Sequence, residues 1–370
     1  MRVVVQKLIS GGSGLASVNG KTVFIPYAAV GDELEIEIVK TYPDYLEAKI
    51  VKIITPSKDR ALPLCPVFGL CGGCQWQHLS SETQLHWKRE ILLEAFERIA
   101  HMKRDDIEAK IALTLPSPKQ WHYRNRIQLH VDSKERLGFY RPRSKEVVEF
   151  EKCYIADERL NEQLQKEREY FRKRGKGVAL RLDESEASFL QINSEQNQVL
   201  RKTLIEWVNA LPHRRVVELY AGEGNFSFEI AKKASEVIAV EVDKRAVDSA
   251  QKKAFQEKRA QLHFYAAEAA EVEQFVQGEV DLLVLDPPRK GAFEALEAIV
   301  KVAPSFMIYV SCNPSTLARD IAWLQKHGYM FQKSLPIDMF PQTHHIESMT
   351  LLKKLKKLKN LPVDNEKALT

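Results

Sequence analysis

Five cysteines punctuate this 370-residue chain, and their spacing sorts them into two kinds of chemistry. Cys65, Cys71 and Cys74 crowd into LCPVFGLCGGCQW as a C-x5-C-x2-C run, and Cys153 follows in the middle of the chain. Four thiolates can hold zinc or an iron–sulfur cluster, and spacing alone does not separate the two. So odd and sparse a number argues against a disulfide framework. Cys312 stands apart in YVSCNPST, at the end of an expected strand. The Asn313-Pro314 turn after it would expose the thiol, so it is a candidate nucleophile, with a buried packing cysteine as the plain alternative. A nucleophile of this kind needs a separate general base. Glu347 in QTHHIESM is the candidate, on a loop just before the last strand, with His344 and His345 as rivals. Adjacent histidines usually point apart, which disfavours a metal site at that pair.

A second constellation suits an adenosine-containing ligand. The strand RVVELY runs into AGEGNF and then a helix, with Gly222 and Gly224 allowing a tight turn and close backbone approach. The next strand ends in Glu241, where a carboxylate can accept from ribose hydroxyls. Phe226 and Ser227 stand where a dinucleotide fingerprint has its third glycine, and there is no G-K-S/T phosphate loop. S-adenosylmethionine is therefore the better candidate. A further strand ends in LDPPRKG, where Asp286 and two prolines make a rigid rim. Arg289 replaces the aromatic that follows such prolines in many amino-nitrogen methyltransferases, which points instead to an anionic or nucleic-acid substrate.

One reaction demands this set of groups. Carbon 5 of a pyrimidine is too poor a nucleophile to take a methyl group directly. A thiolate adding to carbon 6 makes it nucleophilic; a base must then remove the carbon 5 proton so that elimination returns the thiol.

These groups need elements to position them. The first 55 residues show apolar, β-branched runs (KTVFIPY, DELEIEIVK, YLEAKIVKII) broken by Asn19-Gly20, Gly31-Asp32 and Pro43-Asp44, which predicts a small OB-like barrel. Ser81 to Ala100 has helical spacing of Trp87, Ile91, Leu92, Ala95, Phe96 and Ile99. This helical region, reaching residue 108, is expected to pack on the catalytic domain. From Lys119 to Lys145, eight Lys/Arg (Lys119, Arg124, Arg126, Lys134, Arg136, Arg141, Arg143, Lys145) face two acids, Asp132 and Glu135. Trp121, His122, Tyr123, Phe139 and Tyr140 interleave with them. Such a stretch could bind unpaired nucleotides, or it could be a solvated sheet face with its rings in the core. From about Ser185, apolar strands alternate with helical segments, predicting a doubly wound α/β sheet with ligands at the strands' carboxyl ends. Tyr329 to Leu335 and Met349 to Leu352 are expected to add two terminal strands, and the LKKLKKLKN tail to be solvated. The net charge of +5 only mildly favours a polyanionic partner. No apolar run is long enough to span a membrane and no secretory signal is evident, so the cytoplasm is expected.

In sum of motifs, nearly the whole chain resembles the S-adenosylmethionine-dependent RNA uracil-5 methyltransferases, in the iron–sulfur branch acting on 23S ribosomal RNA. The resemblance rests on CPVFGLCGGCQWQH, WHYRNRIQL, FLQINSEQN, ELYAGEGNF, DPPRKG, SCNPSTLARD and FPQTHHIESM, in the family's order. It implies a multidomain fold: an OB-like TRAM barrel over 1–56, a central α+β domain with the cysteine loop over 57–185, and a Rossmann-like methyltransferase domain over 186–370. It further implies Cys312 as nucleophile and Glu347 as base. Gln191, Tyr220, Asn225, Glu241 and Asp286 would line the pocket for cofactor and target base, with Glu268 a looser candidate, and Asp286 could serve either cofactor or uracil. Cys65, Cys71, Cys74 and Cys153 would hold a [4Fe–4S] cluster of structural role. The RNA would be 23S rRNA, with tRNA as the alternative and no obligate protein partner. A redox-responsive RNA-binding protein with an inactive methyltransferase fold is the competing reading.

Overall fold

A computed structural model describes residues 1–175, 177–182 and 191–355. The tail beyond Leu355, the expected domain boundary at 185/186, and Phe189 and Leu190 of the FLQINSEQN motif lie outside these residues.

Three sheets organise the chain. The first holds β1 (Arg2–Val4), β2 (Lys7–Leu8), β3 (Gly14–Val18), β4 (Lys21–Ile25), β5 (Glu33–Thr41) and β6 (Tyr45–Thr55), in the order β1-β5-β6-β4-β3-β2. Alternating residues such as Val23, Ile25, Leu34, Ile36, Leu46 and Ala48 turn to one side and form a core of their own. Three register shifts between β5 and β6 supply the bending that lets one sheet enclose its own apolar face. The first three short strands were not foreseen; Arg2–Val4 and Lys7–Leu8 are too brief for alternation to show.

Next come α1 (Ser81–Arg98) and α2 (Arg104–Ile107). The expected single helix to residue 108 is broken: α1 ends at Arg98, and α2 restarts after His101, whose φ of +53° lies in the left-handed region. Leu92, Leu93, Phe96 and Ile107 enter the same core as the third sheet described below. This helical region is thus part of that sheet's packing.

The second sheet is antiparallel, with β7 (Arg126–Val131), β8 (Leu137–Tyr140), β9 (Val147–Glu149) and β10 (Val178–Arg181) in the order β10-β7-β8-β9, and α3 (Glu158–Arg174) against it. Here four of the eight basic residues between Lys119 and Lys145 are held in ion pairs. Arg136 bonds Asp132, Arg141 pairs with Glu146, Arg143 reaches Glu47 on β6, and Lys119 pairs with Glu195. Tyr123 is buried, Phe139 stacks on Phe150, and Tyr140 stacks on His130. Much of the aromatic signal is therefore packing.

The third sheet carries the chemistry. After α4 (Ser194–Asn209) come β11 (Arg215–Leu219), α5 (Ser227–Ile230), β12 (Glu236–Glu241), α6 (Lys244–Gln256), β13 (Leu262–Ala266), β14 (Leu282–Leu285), α7 (Leu296–Val302), β15 (Phe306–Ser311), α8 (Pro314–Lys326), β16 (Tyr329–Ile337) and β17 (Glu347–Lys354). Their order is β13-β12-β11-β14-β15-β17-β16, parallel through β15, with β17 antiparallel to both neighbours. This is the expected doubly wound arrangement, with order reversing between β11 and β14, where ligands bind outside the carboxyl ends. Leu282–Leu285 and Met307–Val310 are wholly buried, as strands covered on both faces require. Among the described residues, no helix is long and apolar enough to cross a membrane.

Candidate active site

Four parallel strands deliver the candidate residues to one edge. β11 leads into Tyr220, Gly222 and Gly224, with φ of +60°, +54° and +84°, which swings the chain from strand toward α5. At Gly224 a Cβ would fall 2.7 Å from the Phe228 ring, so only glycine fits; at Gly222 a Cβ would meet nothing within 4 Å, and the backbone borders open space. Tyr220 carries a full side chain at positive φ, a strained conformation typical of functional edges. Glu241, the last residue of β12, accepts from the backbone N–H groups of Gly222 and Asp243, both at 2.9 Å. Its carboxylate therefore fixes the glycine turn, and its remaining lone pairs stay available to hydroxyl donors. Asn225 exchanges amide hydrogen bonds of 3.1 and 3.2 Å with Asn197 on α4. Gln191 lies just before α4, its carbonyl held by Asn125 at 2.9 Å. Glu268, exposed at the end of β13, begins a capped turn with Glu271.

Register brings the candidate nucleophile and the candidate base together. Ser311 at the end of β15 pairs with Ser348 of β17, so Cys312 and Glu347, one step further in opposite directions, face each other. Glu347 is the first residue of β17 rather than a loop residue, and it is 4% exposed. Cys312 is half-buried, less open than the Asn-Pro turn suggested, because Asn313 caps α8 with Pro314 at the helix's first position. Asp286 lies at the adjoining end of β14. Its DPPRKG rim is stitched to the cysteine's turn: the Arg289 carbonyl accepts from Asn313 Nδ2 at 3.0 Å and Thr316 Oγ1 at 3.2 Å. Buried Asp320 of α8 holds the same rim by accepting from the Ala292 N–H at 2.8 Å and the Tyr309 hydroxyl at 2.7 Å.

The electrostatics follow from this crowding. Burial, then the Glu347 and Asp286 carboxylates, push the Cys312 thiol up to about 11, opposed by the Arg289 guanidinium. Burial also raises Asp286, and raises Glu347 with repulsion from Asp286 adding to it and Arg289 opposing. Cys312 is thus a thiol at neutral pH and must lose its proton on reaction, while carboxylates of raised pKa beside it make stronger bases than ordinary ones. His344 and His345, the rival bases, are pulled down to about 4 and about 3, chiefly by burial. The His344 ring faces Gln75 Oε1 at 3.1 Å.

Sequence reasoning missed Glu218. It is 2% exposed inside β11, accepts from the Ser227 hydroxyl, and burial raises it to about 8, with Asp286 and Glu241 adding repulsion. Its signal was legible as the lone acid within the apolar run RVVELY. It supports the floor of the edge on which Tyr220 stands.

The other four cysteines meet elsewhere. Cys65, Cys71, Cys74 and Cys153 all line one cavity of about 440 Å³, with Arg124, His130 and Tyr140 among its other walls. All four are free thiols, and burial raises each, Cys71 to about 11 and Cys74 to about 12. The loop is held in place from both sides. Gly72 N–H donates to the Tyr140 carbonyl at 3.0 Å, and Asn161 on α3 accepts from Cys153 N–H at 2.9 Å. Among the described residues, no group of three or more His, Cys, Asp or Glu is placed to hold a metal ion.

Residues 163–355 match the tRNA (uracil-5-)-methyltransferase family, and residues 1–51 match the TRAM domain. An uncharacterized RNA methyltransferase of Bdellovibrio bacteriovorus is 34% identical over 95% of each chain. The 23S rRNA (uracil(1939)-C(5))-methyltransferase of Shewanella woodyi is 31% identical over 92% of this chain and 93% of its own. Among solved structures, the tRNA (uracil-54, C5)-methyltransferase of Pyrococcus abyssi, bound to S-adenosyl-L-homocysteine, shares the fold: TM-score 0.71, 22% identity, 95% of this chain and 100% of that one.

Proposed function

Because the chain belongs to the RNA (uracil-5-)-methyltransferase family and begins with a TRAM domain, we propose that it methylates carbon 5 of one uridine in 23S rRNA, through a covalent bond to Cys312. The observation that carries this reading is the meeting of Cys312 and Glu347 across β15 and β17, beside Asp286 and Arg289. The cofactor, S-adenosylmethionine, supplies an electrophilic methyl group. The open space beside Gly222, the Glu241 carboxylate and the strained Tyr220 fit an adenosine-bearing ligand, with Asn225 and Gln191 on its helix α4 side.

The chain's own groups then work in order. The target base leaves its stack to enter the pocket. Cys312 gives its proton to Asp286, leaving Glu347 free as the later base, and its sulfur bonds to carbon 6 as the ring's π electrons move toward oxygen 4. Arg289 lies where it favours both the thiolate and the anionic ring. Carbon 5, now nucleophilic, takes the methyl group. Glu347 removes the carbon 5 proton, the double bond re-forms, and the Cys312–carbon 6 bond breaks to release the thiolate.

Relatives of about 30% identity that act on 23S rRNA favour that substrate over tRNA. The test is methylation of RNA from cells lacking this enzyme, using labelled cofactor. Label in 5-methyluridine of 23S rRNA is expected; label in tRNA would overturn the RNA assignment, and label at another atom would overturn the chemistry.

At the cysteine cavity the donor set fits a [4Fe–4S] cluster: four free thiols from two chain segments line the walls of one space. Cys65, Cys71, Cys74 and Cys153 would hold it, and it would tie the cysteine loop to the central sheet. Protein purified without oxygen is expected to carry roughly four irons per chain. Cys71→Ser should lose iron, melt at lower temperature and bind RNA more weakly. An iron-free protein with unchanged melting and full activity would refute this assignment.

A further inference from the structure

The loop that delivers Glu347 is harnessed from outside its sheet. Between β16 and β17, four consecutive carbonyls each accept from a different part of the chain. Met339 O accepts from Asn193 Nδ2 at 3.1 Å, Phe340 O from Lys88 Nζ at 3.0 Å, and Pro341 O from the Tyr123 hydroxyl at 3.0 Å. Gln342 O accepts from the N–H groups of Gln75 and Trp76 at 3.2 and 3.0 Å, directly after Cys74. Gln342 itself sits at φ +68°, a conformation that needs outside support.

One side chain joins these threads. Gln84 on α1, 1% exposed, accepts from Gln342 N–H at 2.9 Å through its carbonyl oxygen. Its amide nitrogen, with two hydrogens, shares them among three acceptors in range: Gln342 Oε1 at 3.0 Å, Trp76 O at 3.1 Å and Leu79 O at 3.0 Å. A neutral amide with every polar atom engaged is a rigid spacer, since any shift of the loop leaves buried groups unpaired. The need for one is evident at the loop's end. Glu347 shares its buried space with Asp286, and two carboxyl groups would drift apart if the backbone allowed it.

We propose that Gln84 is a positioning residue for the base: by clamping Gln342 to the exit arm of the cysteine loop, it holds Glu347 at the carbon that must lose its proton. The inference rests on the uracil-5 reading and assigns to α1 and the cysteine loop a part in the second half of that reaction.

The two halves can be read separately. With 5-fluorouridine RNA, adduct formation needs Cys312 and the cofactor but ends before proton removal, because fluorine occupies carbon 5. With ordinary RNA, any covalent complex that builds up reports slow proton removal. Gln84→Met should form the fluorouridine adduct within about twofold of the native rate while its turnover on ordinary RNA falls roughly tenfold to a hundredfold and the adduct accumulates. Gln342→Met, which loses only one side-chain acceptor, should show the same pattern more mildly and carries the test if the first variant does not fold. Equal losses in both assays, with no accumulation, would mean a merely structural role and would overturn the proposal. Absence of any fluorouridine adduct with the native enzyme would instead overturn the reading beneath it.

Discussion

Cys312→Ala is expected to leave a folded protein that still binds S-adenosylmethionine and RNA but transfers no methyl group, a loss on the order of 10⁴-fold or more. The fold should tolerate the change. The side chain is half-buried at a strand end, outside the apolar clusters that pack the two faces of the sheet. Its neighbours Ser311 and Asn313 carry the turn's hydrogen bonds. What disappears is the thiol that the proposed mechanism bonds to carbon 6. Removing a thiol next to two raised carboxyls even relieves crowding, so melting should stay within a few degrees. The measurement pairs methyl transfer with calorimetric cofactor binding; activity above a hundredth of native would contradict the role.

Glu347→Gln is expected to fail later in the cycle. Glutamine keeps the size of the side chain and removes the basic oxygen, so addition to carbon 6 and methylation proceed while proton abstraction slows by about 10²–10⁴-fold. The result should be a methylated RNA–protein complex that survives denaturing electrophoresis on ordinary uridine RNA. The substitution also removes the Glu347 charge, which raises the Cys312 thiol directly, and with it the repulsion from Asp286 that raises Glu347. With one fewer negative neighbour, Cys312 should ionise at lower pH, and its alkylation rate should rise. Loss of methylation without a trapped complex would assign Glu347 to an earlier step.

The two variants show where the sequence was informative. Glycines, strand-end acids and a strand-end cysteine are local signals, because parallel strands of one hand must place their carboxyl ends on one edge. Glu241, Asp286 and Cys312 fall on one edge for that reason; Tyr220 entered only through the resemblance. Glu347 is expected on a loop before the last strand, whereas it opens β17, in an antiparallel register that no local pattern encodes. In the basic stretch from Lys119 to Lys145, Arg143 pairs with Glu47, far away in sequence, and such a long-range partner is invisible in a charge count. Least legible was the harness on residues 339–342. Gln84, Lys88, Tyr123 and Asn193 are ordinary residues in a linear reading, and only the tertiary fold sets all four around one loop. The packing of α1 on β16, through Phe96 against Phe331, likewise joins segments far apart in sequence.

The account turns on one sulfur–carbon bond, and peptide mass spectrometry can see it. The native enzyme, incubated with S-adenosylmethionine and 23S rRNA fragments containing 5-fluorouridine, should be digested with protease and nuclease. The result required is a single modified peptide, Cys312 bearing a methylated fluorouridine nucleotide. A nucleotide attached at any other residue, or methylated RNA formed with Cys312 never modified, would contradict the account.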